Sequence, residues 1–303
     1  EPAENYVLSF DKIGKPYALD IWTGKVSEIN TYEVKDGRLN VSVSLAPGDQ
    51  TMIILQLDDT TEGLHAISTT ADNVVTVSDG LGIQAEQSGS YQTVLNDGTE
   101  TTTEVIVPEP ISLETWNITV QDWDEGKKVI NTEEKFGHTT TEVYYETKKT
   151  DLVFENSPLL PWKDLPATDE QLSQLSGNAP SMSNVSGVGT YTTTFTLPEE
   201  WNENNGAYLC MDNAGGGSVK VYVNGEKAPV VDLRTLKVDI SHLLKEGENT
   251  VTIEVASTLT NRMIERGYIN LSSKWKVDDP TIRDYGLTGT VKIVPYTVAS
   301  LES

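Results

Sequence analysis

Acidic residues are the most abundant ionisable groups in this chain, with 46 Asp and Glu among 303 residues. Hydrolysis by general acid/base catalysis needs two carboxyl groups facing each other across a cleft, one of them desolvated so that its pKa rises. Three clusters of neighbouring acids could supply such a pair: Asp122/Asp124/Glu125, Glu199/Glu200 and Asp278/Asp279. Each cluster lies in polar, turn-like sequence, so we predict ionised, solvated loop charges and no catalytic pair.

The histidines, the glycine run and the cysteine of this chain do not show the spacing of a known catalytic or phosphate-binding motif. His65, His138 and His242 lie far apart in the sequence, which argues against a zinc site or a Ser-His-Asp triad. The glycine run in Ala214–Ser218 precedes a predicted strand and not a helix, so it does not form a phosphate-binding loop. The single cysteine, Cys210, is predicted to pack as a small apolar residue.

The net charge limits the partners of the chain. Lys and Arg number 22 against 46 acids, so the formal net charge is −24. Such a balance repels nucleic-acid phosphates and anionic lipid, and no apolar run is long enough to insert into a membrane. Because the chain begins with Glu1, we expect a processed or excised piece, with any targeting signal outside it.

Apolar residues alternate with polar ones through most of the chain, which is typical of half-buried strands. Clear cases are Val219/Val221/Val223, Val251/Ile253/Val255 and Leu39/Val41/Val43/Leu45. Turn dipeptides such as Asp36-Gly37 and Asn224-Gly225 separate these runs. The pattern predicts an all-β protein made of two antiparallel β-sandwich domains.

Two prolines in Val107–Ile111 interrupt the strand pattern and mark the boundary between the domains, at 1–107 and 108–303. The polar stretch 167–184 is predicted to be a surface excursion with a helical turn at Asp169–Leu175. Residues Ser241–Gly247 are predicted to form one capped helical turn, with Ser241 at the N-cap.

A series of short motifs resembles the galactose-binding-like jelly roll of glycoside hydrolase family 2 and of rhamnosidase-like family 106 proteins, over about residues 108–298. The motifs are Trp116–Trp123, Pro161–Pro166, Ser186–Phe195, Val221–Gly225, Asp239-Ile240, Gly247–Asn249, Asn261-Arg262 and Tyr285–Leu287. Residues Tyr17–Gly24 and Val43–Gly48 are similar to the accessory β-sandwich that follows the catalytic barrel in such proteins. The resemblance implies a C-terminal fragment without its barrel.

The function that this resemblance implies is a non-catalytic carbohydrate-binding or scaffold region of a secreted or cell-surface bacterial glycoside hydrolase. Its expected partners are a plant or host glycan and the upstream catalytic domain of the same polypeptide. We expect no cofactor other than a structural calcium ion, which jelly rolls of this kind often carry, although the alternate-acid spacing of an EF-hand loop is not present. The competing hypothesis is a structural or adhesive array of β-sandwiches that binds protein partners, which tandem copies in the full-length gene would indicate.

Sugar binding needs an aromatic face for the pyranose ring and fixed polar groups for its hydroxyls. Predicted loops offer seven carbohydrate-binding candidates: Asn213, Arg234, Asn261, Arg262, Trp275, Asp284 and Tyr285. Trp275 is the best stacking candidate because its neighbours are polar and basic. For Arg262 the structural alternative is a buried guanidinium held by carboxylates. Trp22 and Trp116 are predicted to lie in the core, and Trp201 on a loop.

Overall fold

The computed structural model describes residues 3–45, 50–57, 63–177, 180–267 and 281–301. The first third of the described chain, up to Val105, consists of short strands and turns. Its strands are β1 (Ala3–Phe10), β2 (Lys15–Leu19), β3 (Val26–Glu28), β4 (Tyr32–Lys35), β5 (Arg38–Leu45), β6 (Met52–Gln56), β7 (Ala66–Thr69), β8 (Asn73–Val77), β9 (Gly80–Ala85), β10 (Gly89–Leu95) and β11 (Glu100–Val105).

The rest of the described chain contains longer strands and the two described α-helices. Its strands are β12 (Ile111–Ser112), β13 (Trp116–Lys135), β14 (His138–Ser157), β15 (Gly187–Thr196), β16 (Asn205–Asn213), β17 (Ser218–Val223), β18 (Glu226–Lys227), β19 (Lys237–Asp239), β20 (Glu248–Ala256) and β21 (Thr288–Ser300). The helices are α1 (Asp169–Gln174) and α2 (Thr260–Glu265). The predicted all-β fold class is confirmed.

Two six-stranded antiparallel sheets face each other around the main core. One has the strand order β14-β13-β15-β20-β17-β18, and the other β19-β16-β21-β9-β8, with β12 added beside β21. Trp116, Tyr191 and Ile253 of the first sheet belong to the same buried cluster as Leu209 and Ile293 of the second. Burial of these side chains from both sheets makes this part a β-sandwich.

Period-two patterning explains the strands that form this core. The side chains of Val219, Val221 and Val223 point inward from β17 while their neighbours are more exposed. The predicted turn after β17 is also present, because Asn224 and Gly225 have φ values of 53° and 85°. These positive values are those of a type I′ hairpin turn, which Asn-Gly favours.

Three small antiparallel sheets form most of the N-terminal part, in the orders β1-β5-β4, β3-β2-β6 and β11-β10-β7. The last of these packs on β8 and β9 through a cluster that includes Ile83 and Leu95. A second cluster of buried residues holds only Tyr32, Leu39 and Val41. The N-terminal part therefore has a divided and much smaller apolar interior.

The sheet that contains β21 crosses the predicted domain boundary. Thr297 of β21 pairs with Ala85 of β9, so backbone hydrogen bonds join residues before 107 to residues after it. The segment 106–110, with its two prolines, carries no strand. The division into 1–107 and 108–303 stays a prediction.

The predicted helical turns have different outcomes. Helix α1 begins after Thr168, whose side chain accepts from the backbone of Gln171 in a capping box, so that prediction is confirmed. The predicted N-cap role of Ser241 is wrong, because the short 3-10 turn Ser241–Leu243 has Ile240 at its N-cap. Ser241 Oγ instead donates to Asp239 at 2.6 Å, which draws the side chain away from the turn.

Strands β13 and β14 form a hairpin that extends well beyond the sandwich. They pair from Trp116 opposite Ser157 to Lys135 opposite His138. Every side chain from residue 130 to residue 149 is exposed, and Phe136 at the tip is 99% exposed. We call residues 125–149 the β-arm. Its sequence did not lead us to predict this projection.

Candidate functional site

Four of the predicted binding residues come together at one end of the sandwich. Asn213 ends β16, and its amide group donates to Thr288 Oγ1 at 2.9 Å. Gly215 in the same loop packs against the backbone of Asp284 and Tyr285. Asn261 donates to the carbonyl oxygen of Arg283 at 3.0 Å. We call Asn213, Asn261, Asp284 and Tyr285 the rim cluster.

Two members of the rim cluster are buried and hold loops together. Tyr285 is 4% exposed, and its hydroxyl lies 2.7 Å from Thr258 Oγ1. Its ring packs edge-on against Trp162, with centroids 5.8 Å apart. Asn261 is 2% exposed and bonds the backbone of Arg283 through both its amide nitrogen and its oxygen. Their hydrogen-bonding groups are satisfied within the protein, and a role in sugar binding stays a prediction.

The other predicted residues lie in different surroundings. Asn213 and Asp284 are exposed, and Asp284 pairs with Lys163 at 2.6 Å. Arg234 is exposed in the loop before β19, where its backbone N–H donates to Asp232. Trp275, the predicted stacking residue, lies outside the described residues.

Arg262 adopts the structural alternative named for it, a buried guanidinium held by carboxylates. Its Nη2 donates to Asp122 Oδ2 at 2.6 Å, and the two side chains are only 6% and 1% exposed. Arg266 donates to both oxygens of Asp124 at 2.8 Å. Glu265 accepts from Arg262 at 3.3 Å and completes this ionic network.

The interpretation of Asp122 and Asp124 as solvated loop charges is wrong. Both side chains lie on the inward face of β13, 1% and 7% exposed. Burial raises the pKa of Asp122 despite its hydrogen bond from Arg262. Burial also tends to raise the pKa of Asp124. Hydrogen bonds from Arg266 and from the Glu125 backbone outweigh this effect, so the pKa of Asp124 is lowered.

This network does not resemble an acid/base pair. Asp122 accepts from the Ser186 backbone N–H with one oxygen and from Arg262 with the other, as an ionised carboxylate does. A catalytic general acid has to be protonated and to face a substrate. Glu199 and Glu200 are exposed, as predicted for loop charges. Asp278 and Asp279 lie outside the described residues.

A cleft of about 740 Å³ lies on the outer face of the sheet that contains β16 and β19. The turn between β2 and β3 lines one side of the cleft, and the loop before β19 lines another. We call it the Trp22 cleft. The lining residues that carry aromatic or polar groups include Asp20, Trp22, Lys25, Tyr208, Asp232, Lys237, Asp239 and His242.

Asp20 sets the shape of the turn that carries Trp22. One carboxylate oxygen of Asp20 accepts from the Trp22 backbone N–H at 2.8 Å, and the other accepts from Thr23 Oγ1 at 2.6 Å. The backbone of Gly24 closes the turn onto the Asp20 carbonyl oxygen at 2.8 Å. Trp22 is thereby held half-buried over the cleft. The prediction that Trp22 lies in the core is wrong.

Tyr208 and Lys237 form the floor of the Trp22 cleft. The ammonium group of Lys237 lies 3.8 Å from the centroid of the Tyr208 ring and 2.7 Å from Glu86 Oε1. The Tyr208 hydroxyl accepts from Gln84 at 2.8 Å. Burial raises the pKa of Tyr208 above its ordinary value. The floor therefore presents the aromatic ring of Tyr208, and the ammonium group of Lys237 beside it is already paired with Glu86.

The Trp22 cleft combines two aromatic side chains with carboxylate, ammonium and imidazole groups. Aromatic faces pack against the apolar side of a sugar ring, and fixed polar groups bond its hydroxyls. Sequence reasoning missed Trp22, Tyr208 and His242 as cleft residues. The signal for Trp22 was the turn sequence Asp20–Gly24, in which Asp and Gly bracket the aromatic residue.

Two features are absent from the described part of the chain. No group of three or more His, Cys, Asp or Glu side chains there is arranged to hold a metal ion. A structural calcium ion stays a prediction. Neither described helix has the length and apolar character needed to cross a bilayer.

Comparisons with known proteins show similarity of fold. No protein-family model and no curated protein matches the chain. The structure is similar to a rhamnosidase from Novosphingobium sp. PP1Y, with a TM-score of 0.56 and 18% identity over 97% of this chain and 22% of that one. Two further matches are a β-D-glucuronidase from Dictyoglomus thermophilum and a glycosyl hydrolase family 2 member from Bacteroides cellulosilyticus DSM 14838.

The second and third matches are much weaker. The glucuronidase has a TM-score of 0.32 at 16% identity, over 64% of this chain and 29% of that one. The family 2 protein has a TM-score of 0.31 at 14% identity, over 63% and 21%. The chain shares the fold of a β-rich part of the Novosphingobium rhamnosidase. It spans about a fifth of the length of the Novosphingobium rhamnosidase, whose fold it shares in part.

Proposed function

We propose that this chain is a non-catalytic, carbohydrate-binding region of a secreted or cell-surface bacterial glycoside hydrolase. The observation that carries the proposal is the similarity of fold between 97% of the chain and 22% of a rhamnosidase. A region that matches only about a fifth of the rhamnosidase chain fits an accessory domain that accompanies a separate catalytic domain. The catalytic domain is its proposed partner within the same polypeptide.

The Trp22 cleft is the proposed binding site. Its volume is in the range of small-molecule sites, which usually measure about 300–1,000 Å³. Trp22 would stack on one face of a sugar ring, and Lys25 and His242 would bond its hydroxyl groups. Asp20 acts as a positioning residue because both of its carboxylate oxygens are used within the turn.

The described acidic residues support a non-catalytic role. Glycosidases use two carboxyl groups that flank the scissile bond, one of them protonated. The buried carboxylates Asp122 and Asp124 are instead bound by Arg262 and Arg266. Asp239, in the Trp22 cleft, accepts hydrogen bonds from the backbone N–H and from the hydroxyl group of Ser241.

Isothermal titration calorimetry with rhamnosides, galactosides and pectic fragments tests the proposal. We expect saturable binding to the wild-type chain by at least one of these classes. Trp22→Ala should weaken it about tenfold, because ring stacking contributes up to about 1.5 kcal/mol. Trp201→Ala is the matched control, since Trp201 lines a separate cleft beside Leu197 and Lys245.

Each outcome bears on a different part of the proposal. Equal losses in Trp22→Ala and Trp201→Ala would contradict the assigned site. Flat titrations across the whole panel would overturn the binding role and leave a supporting role for the catalytic domain. Turnover of aryl rhamnosides or aryl galactosides by this chain alone would overturn the non-catalytic assignment.

A further inference from the structure

The β-arm has a long strand edge that its own chain leaves open. Strand β14 is the end strand of its six-stranded sheet and is 20 residues long. Near the sandwich this edge is covered, because Gln171 donates to the Val153 carbonyl oxygen at 2.8 Å. Lys148 similarly donates to Ser176 Oγ at 2.7 Å. Within the described residues, no strand pairs with the edge between His138 and Thr147.

The open part of the edge has a sequence suited to strand pairing. Residues 139–147 are Thr, Val, Tyr and Glu, with neither Gly nor Pro. Proteins usually blunt an exposed edge with charged side chains (above all lysine), proline, a bulge or a covering loop, because its free N–H and C=O groups attract another strand. Residues 139–147 contain two glutamates, Glu142 and Glu146, but no lysine. A two-stranded hairpin is also only marginally stable alone in water. Both facts favour a further strand beside β14.

Charge favours a second β-arm as that strand. The β-arm carries five lysines and five glutamates, whereas the whole chain has a formal net charge of −24. Its lysines gather at the root, at Lys127, Lys128, Lys148 and Lys149. Its tip carries Glu133, Glu134 and one lysine, Lys135, which pairs with Glu133 at 2.9 Å, so one acidic charge is left over there. Two β-arms side by side and antiparallel would place the basic root of each beside the acidic tip of the other.

We propose that two copies of this chain associate through β14, antiparallel and related by a two-fold axis at Val143. Side chains alternate between the two faces of a strand, and residues directly opposite each other in an antiparallel pair lie on the same face of the sheet. A two-fold axis perpendicular to the sheet meets this condition only if it passes through a residue and not between two residues. An axis at Val143 places Thr141 opposite Tyr145 and Thr139 opposite Thr147. An axis one residue on would place Glu142 opposite Glu146, and like charges directly opposite destabilise a sheet.

This arrangement also keeps the acidic sandwiches apart. The β-arm extends about ten residues beyond the body, or about 33 Å at 3.3 Å per residue. Antiparallel β-arms would hold the two bodies at opposite ends of a four-stranded ribbon. That separation exceeds the Debye length of about 10 Å at 0.1 M salt, so repulsion between the bodies is screened.

Sedimentation velocity over a thousand-fold range of concentration tests the association. The wild-type chain should shift from the monomer mass toward twice that mass as concentration rises. In the matched variant, residues 129–144 are replaced by Asn-Gly, which joins the paired residues Lys128 and Tyr145 by a two-residue turn. This variant should remain monomeric with an unchanged melting temperature of the sandwich. A wild-type chain that stays monomeric throughout, or a shortened variant that still dimerises, would overturn the proposal.

Disulfide trapping tests the register. In a Cys210→Ser background, Val143→Cys should form a cross-linked dimer, since directly opposite Cα atoms lie about 4.5–5.5 Å apart. Ile130→Cys is the matched control, because Ile130 pairs with Val143 at the same height on the β-arm. Two copies of Ile130 would be three strand spacings, about 14 Å, apart and should not cross-link. Equal cross-linking of the two variants would contradict the β14 edge as the interface.

Discussion

The parts of the chain before and after residue 107 bury their apolar side chains to very different extents. After it, one large cluster contains Trp116, Trp162 and Tyr191, each 1% exposed or less. Before it, the buried residues are divided between two clusters, and the smaller one holds three side chains. A large interior can accommodate buried ions and tyrosine hydroxyls, whereas small sheets keep more of their aromatic residues near the surface.

This difference bears on the location of the candidate site. The Trp22 cleft lies where the small sheet β3-β2-β6 faces the outer side of the large sandwich. Trp22 is held by a local turn and stays half-buried, whereas Trp116 is locked in the core with its indole N–H bonded to the Leu113 carbonyl oxygen. The aromatic group available to a ligand comes from the region with the smaller core.

The largest expected effect concerns the ionic network of the large region. Arg262→Met would leave the carboxylate of Asp122 buried without its cation. Breaking a buried ion pair in this way costs about 3–5 kcal/mol. Urea unfolding at neutral pH should show this loss in the free energy of unfolding. Lys220→Met is the control, since the Lys220–Glu254 pair is exposed and weak at 3.8 Å, and should change stability by about 0.5 kcal/mol or less.

A smaller loss of Arg262→Met, equal to that of Lys220→Met, would contradict a structural role for the network. It would also return Arg262 to the group of candidate ligand contacts.

Two glycines of similar backbone conformation compare the regions directly. Gly215 has a φ of 60°, and a Cβ there would lie 2.5 Å from the Asp284 carbonyl oxygen. Gly37 has a φ of 74° and open space around it. Gly215→Ala should destabilise by about 2–4 kcal/mol, from strain plus overpacking. Gly37→Ala should cost about 1 kcal/mol, from strain alone.

Thermal unfolding of the two alanine variants measures this difference. Equal melting temperatures would mean that the rim loops move apart easily, and that the rim cluster is less tightly packed than its contacts indicate.

Alkaline pH should weaken the large region through Tyr191. Burial raises its pKa to about 12, partly offset by hydrogen bonds from Leu287 and Trp162. Between about pH 10 and 12 the unfolded chain releases this proton while the folded chain keeps it. Stability should therefore fall as pH rises, by up to about 1.4 kcal/mol per pH unit from this group.

Urea unfolding as a function of pH checks the sign. Tyr191→Phe should be less stable at pH 7, because Trp162 loses its buried acceptor, but it should show a shallower decline above pH 10. A decline as steep as that of the wild-type chain would contradict the assignment to Tyr191.

Local sequence patterns were enough to predict the strands and turns. The burial or exposure of individual side chains depends on contacts between residues that are distant in sequence, which local patterns do not reveal. The alternation around Val221 and Ile253, the Asn224-Gly225 turn and the helix after Thr168 follow from neighbouring residues. The burial of Asp122 depends on Arg262, 140 residues later, and no local signal indicates that partner. The exposure of Trp22 likewise depends on how one small sheet meets another part of the chain.

Titration of the indole N–H signals by two-dimensional NMR tests the central claim, that the Trp22 cleft binds carbohydrate. The chain has six tryptophans, and each gives its own indole signal. With a rhamnoside, galactoside or pectic fragment that binds, the Trp22 signal should shift saturably, while those of the buried Trp116 and Trp162 should stay in place. A saturable shift of Trp275 with Trp22 unchanged, or no shift in any signal, would contradict the account.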